Sequence, residues 1–410
     1  MTSAPPVPLR TRVTLSALMF GQNFVTGSYV VTLGTYLATE LDASGQQISL
    51  AVMCQALGAI ASPFIVGLIA DRYVAAEKIL RVLHLTLASA LLLAGRQTTF
   101  LGFFICALIA MGALMPTVSL ANAVAFRHLT DPSRQFAPIR VFGTLGWVVA
   151  GLTIGWLALE QNGQLGRTFT LAASAALVLV ILTFFLPHTP PEAARARTPS
   201  QVLGLDAVLP LFRNRSYLVF FISATLLGIP MAFYYTFTNL FLNEIGVHRA
   251  AAVQTIGQMA EMAILLLLPL ALRRFGFRVT IALGMSAWIL RYVLFTAGNS
   301  GSLYGLILLG LLMHGFCFNF VFVTGQIYTD SVAPPGVRSA AQGLTALGTS
   351  GVGALIGTLA AGRTVDAFVT SDGHDWVRVW PMAGAMVAVI LVVFLAFFRD
   401  QPKDAQIQPD

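Results

Sequence analysis

Long apolar runs recur along the whole chain, and most of its Lys and Arg sit in the short stretches between them. A helix needs about 20 mostly apolar residues to cross a hydrocarbon core of roughly 30 Å. Twelve segments meet that need: 13–39, 45–70, 78–95, 98–126, 138–159, 168–187, 216–243, 250–272, 278–297, 303–328, 337–362 and 376–398. Pro63, Pro116, Pro230 and Pro269 fall inside spans, where neighbouring helices can satisfy the carbonyls they free. The pattern predicts an all-α polytopic membrane protein.

The basic residues then set the topology. With the N-terminus inside, eighteen of the 24 Lys and Arg fall in cytoplasmic segments. Five (Arg96, Arg167, Arg249, Arg363 and Arg378) fall in outer ones, and Arg291 lies within a span. By the positive-inside rule both termini are cytoplasmic and the number of spans is even. The longest loop, 188–215, is rich in Pro and Arg and becomes amphipathic around LGLDAVLPLF, which predicts a short helix on the cytoplasmic membrane face. It divides the chain into a six-helix bundle over 1–187, a linker over 188–215, a second six-helix bundle over 216–398 and a cytoplasmic tail over 399–410. Transporters with two pseudo-symmetric bundles and a midplane site share that layout.

Composition agrees. Of 410 residues 57% are hydrophobic and 10% charged, against roughly 25% charged in a soluble domain. A soluble enzyme, a disordered chain and a secreted disulfide scaffold are excluded. Cys54, Cys106 and Cys317 all lie in apolar runs and read as small buried residues rather than a metal site. The net charge of +7 is explained by topology, so no nucleic-acid partner is expected. No cofactor, metal or catalytic cluster is expected either.

The loop between the second and third spans, GLIADRYVAAEKIL, places Gly67, Asp71, Arg72 and Lys78 at the inner mouth. Gly67 lets two helices close up, and Asp71 can cap the next helix or meet a basic residue across the bundle. Asp71 and Arg72 are therefore the gating candidates. The Gly-x-x-x-Asp-Arg spacing resembles the signature loop of the major facilitator superfamily. The equivalent loop of the second half, LRRFGFRVTI, lacks the Asp.

An ionisable side chain in mid-span costs at least about 2.5–3.5 kcal/mol on insertion scales and defaults to a functional hypothesis. Glu261 lies near the middle of the eighth span, and with Gln254 and Gln258 forms a stripe on one helical face. That stripe fits a water-lined cavity; a structural hydrogen-bond network is the plainer reading. Arg140 opens the fifth span, with Thr144 and Trp147 on the same face, close enough to the boundary to snorkel. Arg291 is deep, and a structural ion pair, with Glu261 among the possible partners, is the expected role. His314, midway along the tenth span, could relay protons, donate to a substrate or serve as a satisfied interhelical residue.

Neutral amides beside aromatics fill out the picture. The first span carries Gln22, Asn23, Thr26 and Tyr29, and the fourth Thr117 and Asn122. The seventh has Tyr235, Thr238 and Asn239; the tenth adds Phe318, Asn319, Phe322 and Gln326. Such a set suits a flat, uncharged, hydroxylated solute held by stacking and hydrogen bonds.

At these residues the chain resembles the bacterial nucleoside:proton symporters of the major facilitator superfamily. The motifs are GSYVVTLGTYL, GLIADRY, MPTVSLANAVAF, PIRVFGTLGW, LPHTP with LGLDA, FTNLFL, the Gln-x-x-Glu of Gln258 and Glu261, AWILRY and RSAAQG. The resemblance implies proton-coupled import through a central site between the halves, in the bacterial inner membrane. Its site Arg, Thr and aromatic match Arg140, Thr144 and Trp147; its Gln and Glu match Gln258 and Glu261, and its Phe matches Phe318. Departures stand where relatives have a Gln and an Asn (here Ala232 and Tyr235), an Asp (Asn319) and a Tyr (His314). Losing that acid makes Glu261 the leading protonatable group, followed by His314.

The expected partners are a nucleoside, protons and the bilayer, and the expected state is a monomer working by alternating access. A proton-coupled sugar symporter is an alternative, because ribose and hexoses present similar hydroxyls. A proton-coupled antiporter exporting small molecules is another, although GTLGWVVAGLTIGW lacks the late Pro that often marks drug antiporters.

Overall fold

In a hydrocarbon layer each backbone N–H and C=O has to be satisfied within its own segment, and the apolar runs accordingly fold as helices. The computed structural model describes residues 7–65, 74–191, 208–334 and 337–400. Asp71, Arg72 and the 192–207 part of the linker lie outside them. The chain divides into two compact units, Met1–Ala196 with Val247–Thr255, and Arg197–Gly246 with Ile256–Asp410.

In the first unit α1 (Leu9–Tyr29) and α2 (Leu33–Glu40) share the first predicted span, with a turn between them. They are followed by α3 (Gly45–Ile65), α4 (Ala76–Ala94), α5 (Phe100–His128), α6 (Pro132–Trp156) and α7 (Gly166–Leu182). Helix α1 packs on α6 and α7, while α5 packs on α3 and α4. Phe169 is the centre of an aromatic knot, with Tyr36 at 4.7 Å and Phe103 at 5.6 Å, both edge-on.

The second unit begins with a short 3-10 turn, Leu209–Arg213, then α8 (Arg215–Glu244) and α9 (Ala250–Ala297), whose first residues, through Thr255, belong to the first unit. At 1.5 Å per residue a straight α9 would be about 72 Å long, more than twice the hydrocarbon thickness. It bends where the sequence predicts a loop between two spans, at Gly276, whose φ of +71° suits glycine. The next predicted span is α10 (Tyr304–Leu312), α11 (His314–Phe318), a π-helical turn at Asn319–Val323 and α12 (Thr324–Val332). Then come α13 (Arg338–Ala346), a second π turn at Leu347–Gly353, and α14 (Ala354–Ala367). A two-strand hairpin, β1 (Val369–Thr370) and β2 (Gly373–His374), precedes α15 (Trp376–Phe397). Helix α8 is the hub of this unit, packing on α14, α15 and the second π turn.

Among the described residues seven helices are long and apolar enough to cross a membrane. They are Phe100–His128, Gln135–Trp156, Arg215–Glu244, the kinked Ala250–Ala297, Tyr304–Val332, Ala340–Ala367 and Trp376–Phe397. Polar residues dilute α1 (Arg10, Arg12, Gln22, Asn23) and α4 (Glu77, Lys78, Arg81, His84). At the described end of the amphipathic linker stretch Val208 is fully buried against Ala333 and Ala341, while Leu209 is exposed.

Candidate functional site

Helix α9 carries Glu261, and α11 is brought against it by an absent side chain. A Cβ on Gly315 would lie 2.5 Å from the carbonyl oxygen of Ala260, so the two backbones touch at this level. The close approach sets His314 beside Glu261, Nε2 to Oε2 at 3.5 Å. The imidazole is buried, with 1% of its side chain exposed, whereas the Glu261 side chain keeps 28%. Among the described residues Nδ1 of His314 has no hydrogen-bond partner. A neutral ring protonated on Nε2 fits this setting, because it donates to the carboxylate and leaves no buried N–H unanswered.

Aromatic rings hold that imidazole. Tyr234 of α8 stacks on it at 5.3 Å and 21°, and Tyr235 meets it edge-on at 5.9 Å. Phe318 follows at 6.1 Å from His314, and Phe322 at 5.6 Å from Phe318. Tyr235 is exposed, Phe318, Phe322 and Gln258 are half-buried, and these side chains remain available to a ligand.

Asn319 is placed otherwise than expected of a lining residue. It is fully buried, and its amide donates to the carbonyls of Glu261 at 2.8 Å and Gly315 at 3.0 Å. At the π turn that begins at Asn319, that residue's main-chain carbonyl accepts from both the N–H and the Oγ1 of Thr324, the hydroxyl at 3.1 Å. Asn239 is also buried, its main-chain carbonyl and side-chain oxygen both accepting from Asn243.

Arg291 departs from the expected ion pair. Its Nε donates to the Gly310 carbonyl at 3.1 Å, and its guanidinium carbon lies 4.0 Å from the Tyr234 ring centroid and 4.8 Å from that of Trp288. Glu261 is not its partner. Glu261 faces the imidazole, and the guanidinium has settled on ring faces, whose quadrupole attracts a cation.

In the first unit Gln22 is buried and donates to the Thr117 carbonyl at 3.0 Å, which joins α1 to α5. Asn23 donates to Met19 and lies against Gly143 of α6. Arg140 is exposed, and Thr144 and Trp147 are half-buried on the same helix. Asn23 and the Arg140–Thr144–Trp147 face therefore belong to one helix pair, α1 and α6.

Three polar clusters were not foreseen. Glu77 accepts from His188 Nδ1 at 2.8 Å and from the Thr189 N–H at 3.1 Å, and Thr189 Oγ1 lies 2.9 Å from His128 Nε2. Glu244 accepts from the His374 ring and N–H and from Trp376 Nε1 at 2.7 Å. Both Glu160 oxygens accept from the Ala251 N–H at the start of α9. Tyr234 and Trp288 were missed as well. FYYTFTN and AWILRY held the signal, since Trp288 is three residues before Arg291 and so on its face.

With this geometry in hand, comparison with known proteins is informative. The sequence model of the family described as Nucleoside H+ symporter matches residues 9–403. The putative nucleoside transporter YegT of Escherichia coli (strain K12) is 36% identical over 408 residues, 97% of this chain and 96% of its own. The xanthosine permease of the same organism is 31% identical, over 94% and 95% of the two chains. The crystal structure of the nucleoside transporter NupG matches with a TM-score of 0.86 at 28% identity, over 95% of this chain and 100% of that one.

Proposed function

Because the chain belongs to the nucleoside H+ symporter family, we propose that it imports nucleosides, driven by the proton gradient. It does so by alternating access to a midplane site, with no covalent chemistry. The reading includes twelve spans with both termini cytoplasmic, in a bacterial inner membrane, and a monomeric chain. Its two six-helix bundles cover 1–187 and 216–398, and Asp71 and Arg72 belong to the inner gate.

The observation that carries it is the carboxylate of Glu261, partly exposed on an apolar helix and 3.5 Å from a buried imidazole. A carboxyl group there can take a proton from one side and release it to the other. His314, with a single partnered nitrogen, serves it as hydrogen-bond donor. In the second unit the base would stack on Phe318, Phe322 and Tyr235, with Gln258 meeting a polar edge, and Asn23, Arg140 and Thr144 are the first unit's own candidates for substrate contact.

The test is uptake into proteoliposomes with an imposed inward proton gradient. Radiolabelled uridine or adenosine should accumulate above equilibration and lose that accumulation on addition of a protonophore. Accumulation of hexoses without nucleosides would replace the reading with a sugar symporter. Gradient-driven efflux of the nucleoside would replace it with an antiporter.

A further inference from the structure

A buried guanidinium is a costly way to fill volume. It gives up its hydration on burial, and apolar side chains of similar size often serve as well or better. Arg291 nevertheless stands in α9 with 0% exposure. Its Nε is hydrogen-bonded to a carbonyl, while Nη1 and Nη2 have no hydrogen-bond partner among the described residues. What the group does touch is informative. Its guanidinium carbon stands 4.0 Å from the Tyr234 ring centroid, and Tyr234 stacks on His314 at 5.3 Å and 21°. Trp288, the second ring beneath the guanidinium, is itself pinned by its Nε1–H bond to the Cys317 carbonyl at 3.2 Å. Cation, phenol and imidazole are thus joined by successive contacts that end at the ring facing Glu261.

We propose that Arg291 is a positioning residue for proton coupling, acting through Tyr234 to hold the plane of His314 so that Nε2 stays turned toward Glu261. The proposal rests on the reading of Glu261 as the proton carrier. A planar, delocalised cation suits the task, because a lysine ammonium has no flat face to stack. The stack has a mechanical purpose too. Among the described residues His314 has no partner on Nδ1, so its ring plane is held by the long 3.5 Å contact of Nε2 with Glu261 and by its ring-face contacts.

The experiment uses the full-length protein in proteoliposomes, with two readouts for each variant. One is proton-driven accumulation of labelled nucleoside; the other is nucleoside counterflow with no proton gradient, which needs binding and alternation but not coupling. Arg291→Lys and Tyr234→Leu are expected to lower accumulation at least tenfold while counterflow stays within threefold of wild type. Tyr234→Phe, which keeps the ring, is expected to retain accumulation. Wild-type accumulation in Arg291→Lys would overturn the proposal, as would equal loss of both readouts in the two disruptive variants. Should Arg291→Lys fail to fold, the Tyr234 pair decides: accumulation lost in Leu and kept in Phe supports the proposal, and equal behaviour overturns it. A wild-type protein that shows counterflow without accumulation would instead overturn the proton-driven reading itself.

Discussion

The side-chain amide of Asn319 donates to the main-chain carbonyl of Glu261 at 2.8 Å, fastening α11 and the π turn to α9 at the residue read as the proton carrier. The same amide donates to Gly315, so both of its N–H groups are used. A carboxylate at this position has no hydrogen to donate, and a protonated one has a single donor.

Asn319→Asp should therefore be destabilising, by about 0.5–1.5 kcal/mol for each hydrogen bond lost. Thermal unfolding in detergent should show a lower Tm for Asn319→Asp than for wild type. An unchanged Tm would mean that these two bonds contribute nothing.

Glu261→Gln keeps shape and hydrogen bonding while removing the titrating group. Accumulation of nucleoside against its gradient should fall to equilibration, and counterflow should persist. A variant that still concentrates nucleoside at the wild-type level would move the coupling role to His314, the next ionisable group beside it.

The contact at Gly315 has a clean control. Gly315→Ala would push a methyl group into the Ala260 carbonyl, whereas a Cβ on Gly112 meets nothing within 4 Å. Overpacking of this kind costs typically about 1–3 kcal/mol. Gly315→Ala should lower Tm and transport together, and Gly112→Ala should alter neither. Equal behaviour of the two variants would refute the tight helix contact.

The Glu77 cluster lies just outside the third apolar run and predicts a pH effect on stability. Burial alone would raise the Glu77 carboxyl, but hydrogen bonds from His188, its own backbone and Thr189 outweigh it and hold it below its ordinary value. Burial, then the neighbouring Arg127, lower His128. Both groups have folded values below unfolded ones, so both stabilise the fold above their unfolded values and lose that contribution as pH falls through the folded ones. Acidification from pH 7 to 4 should lower Tm more steeply in wild type than in Glu77→Gln. Parallel curves would show that the cluster is not a source of stability.

What the sequence determined by itself is whatever depends on one segment and its solvent. An apolar run must satisfy its own backbone, so the described residues of the apolar runs are mostly helical, and the predicted loop between 272 and 278 contains the Gly276 kink. Glu261 was legible as a functional candidate for the same reason, since a charge in an apolar run is costly wherever its helix faces. Partners were not legible, because they depend on how each helix is rotated and how closely it approaches the next. Arg291 and Glu261 read as a possible pair, yet one settled on rings and the other on an imidazole. Asn319 read as cavity lining, but the missing Cβ at Gly315 brings two backbones together and draws its amide into the joint. Glu244 and His374, 130 residues apart, carry no mutual signal along the chain. Only packing decides them, since a hydrogen bond needs its two atoms within about 3 Å, and one-dimensional pattern does not fix distances on that scale.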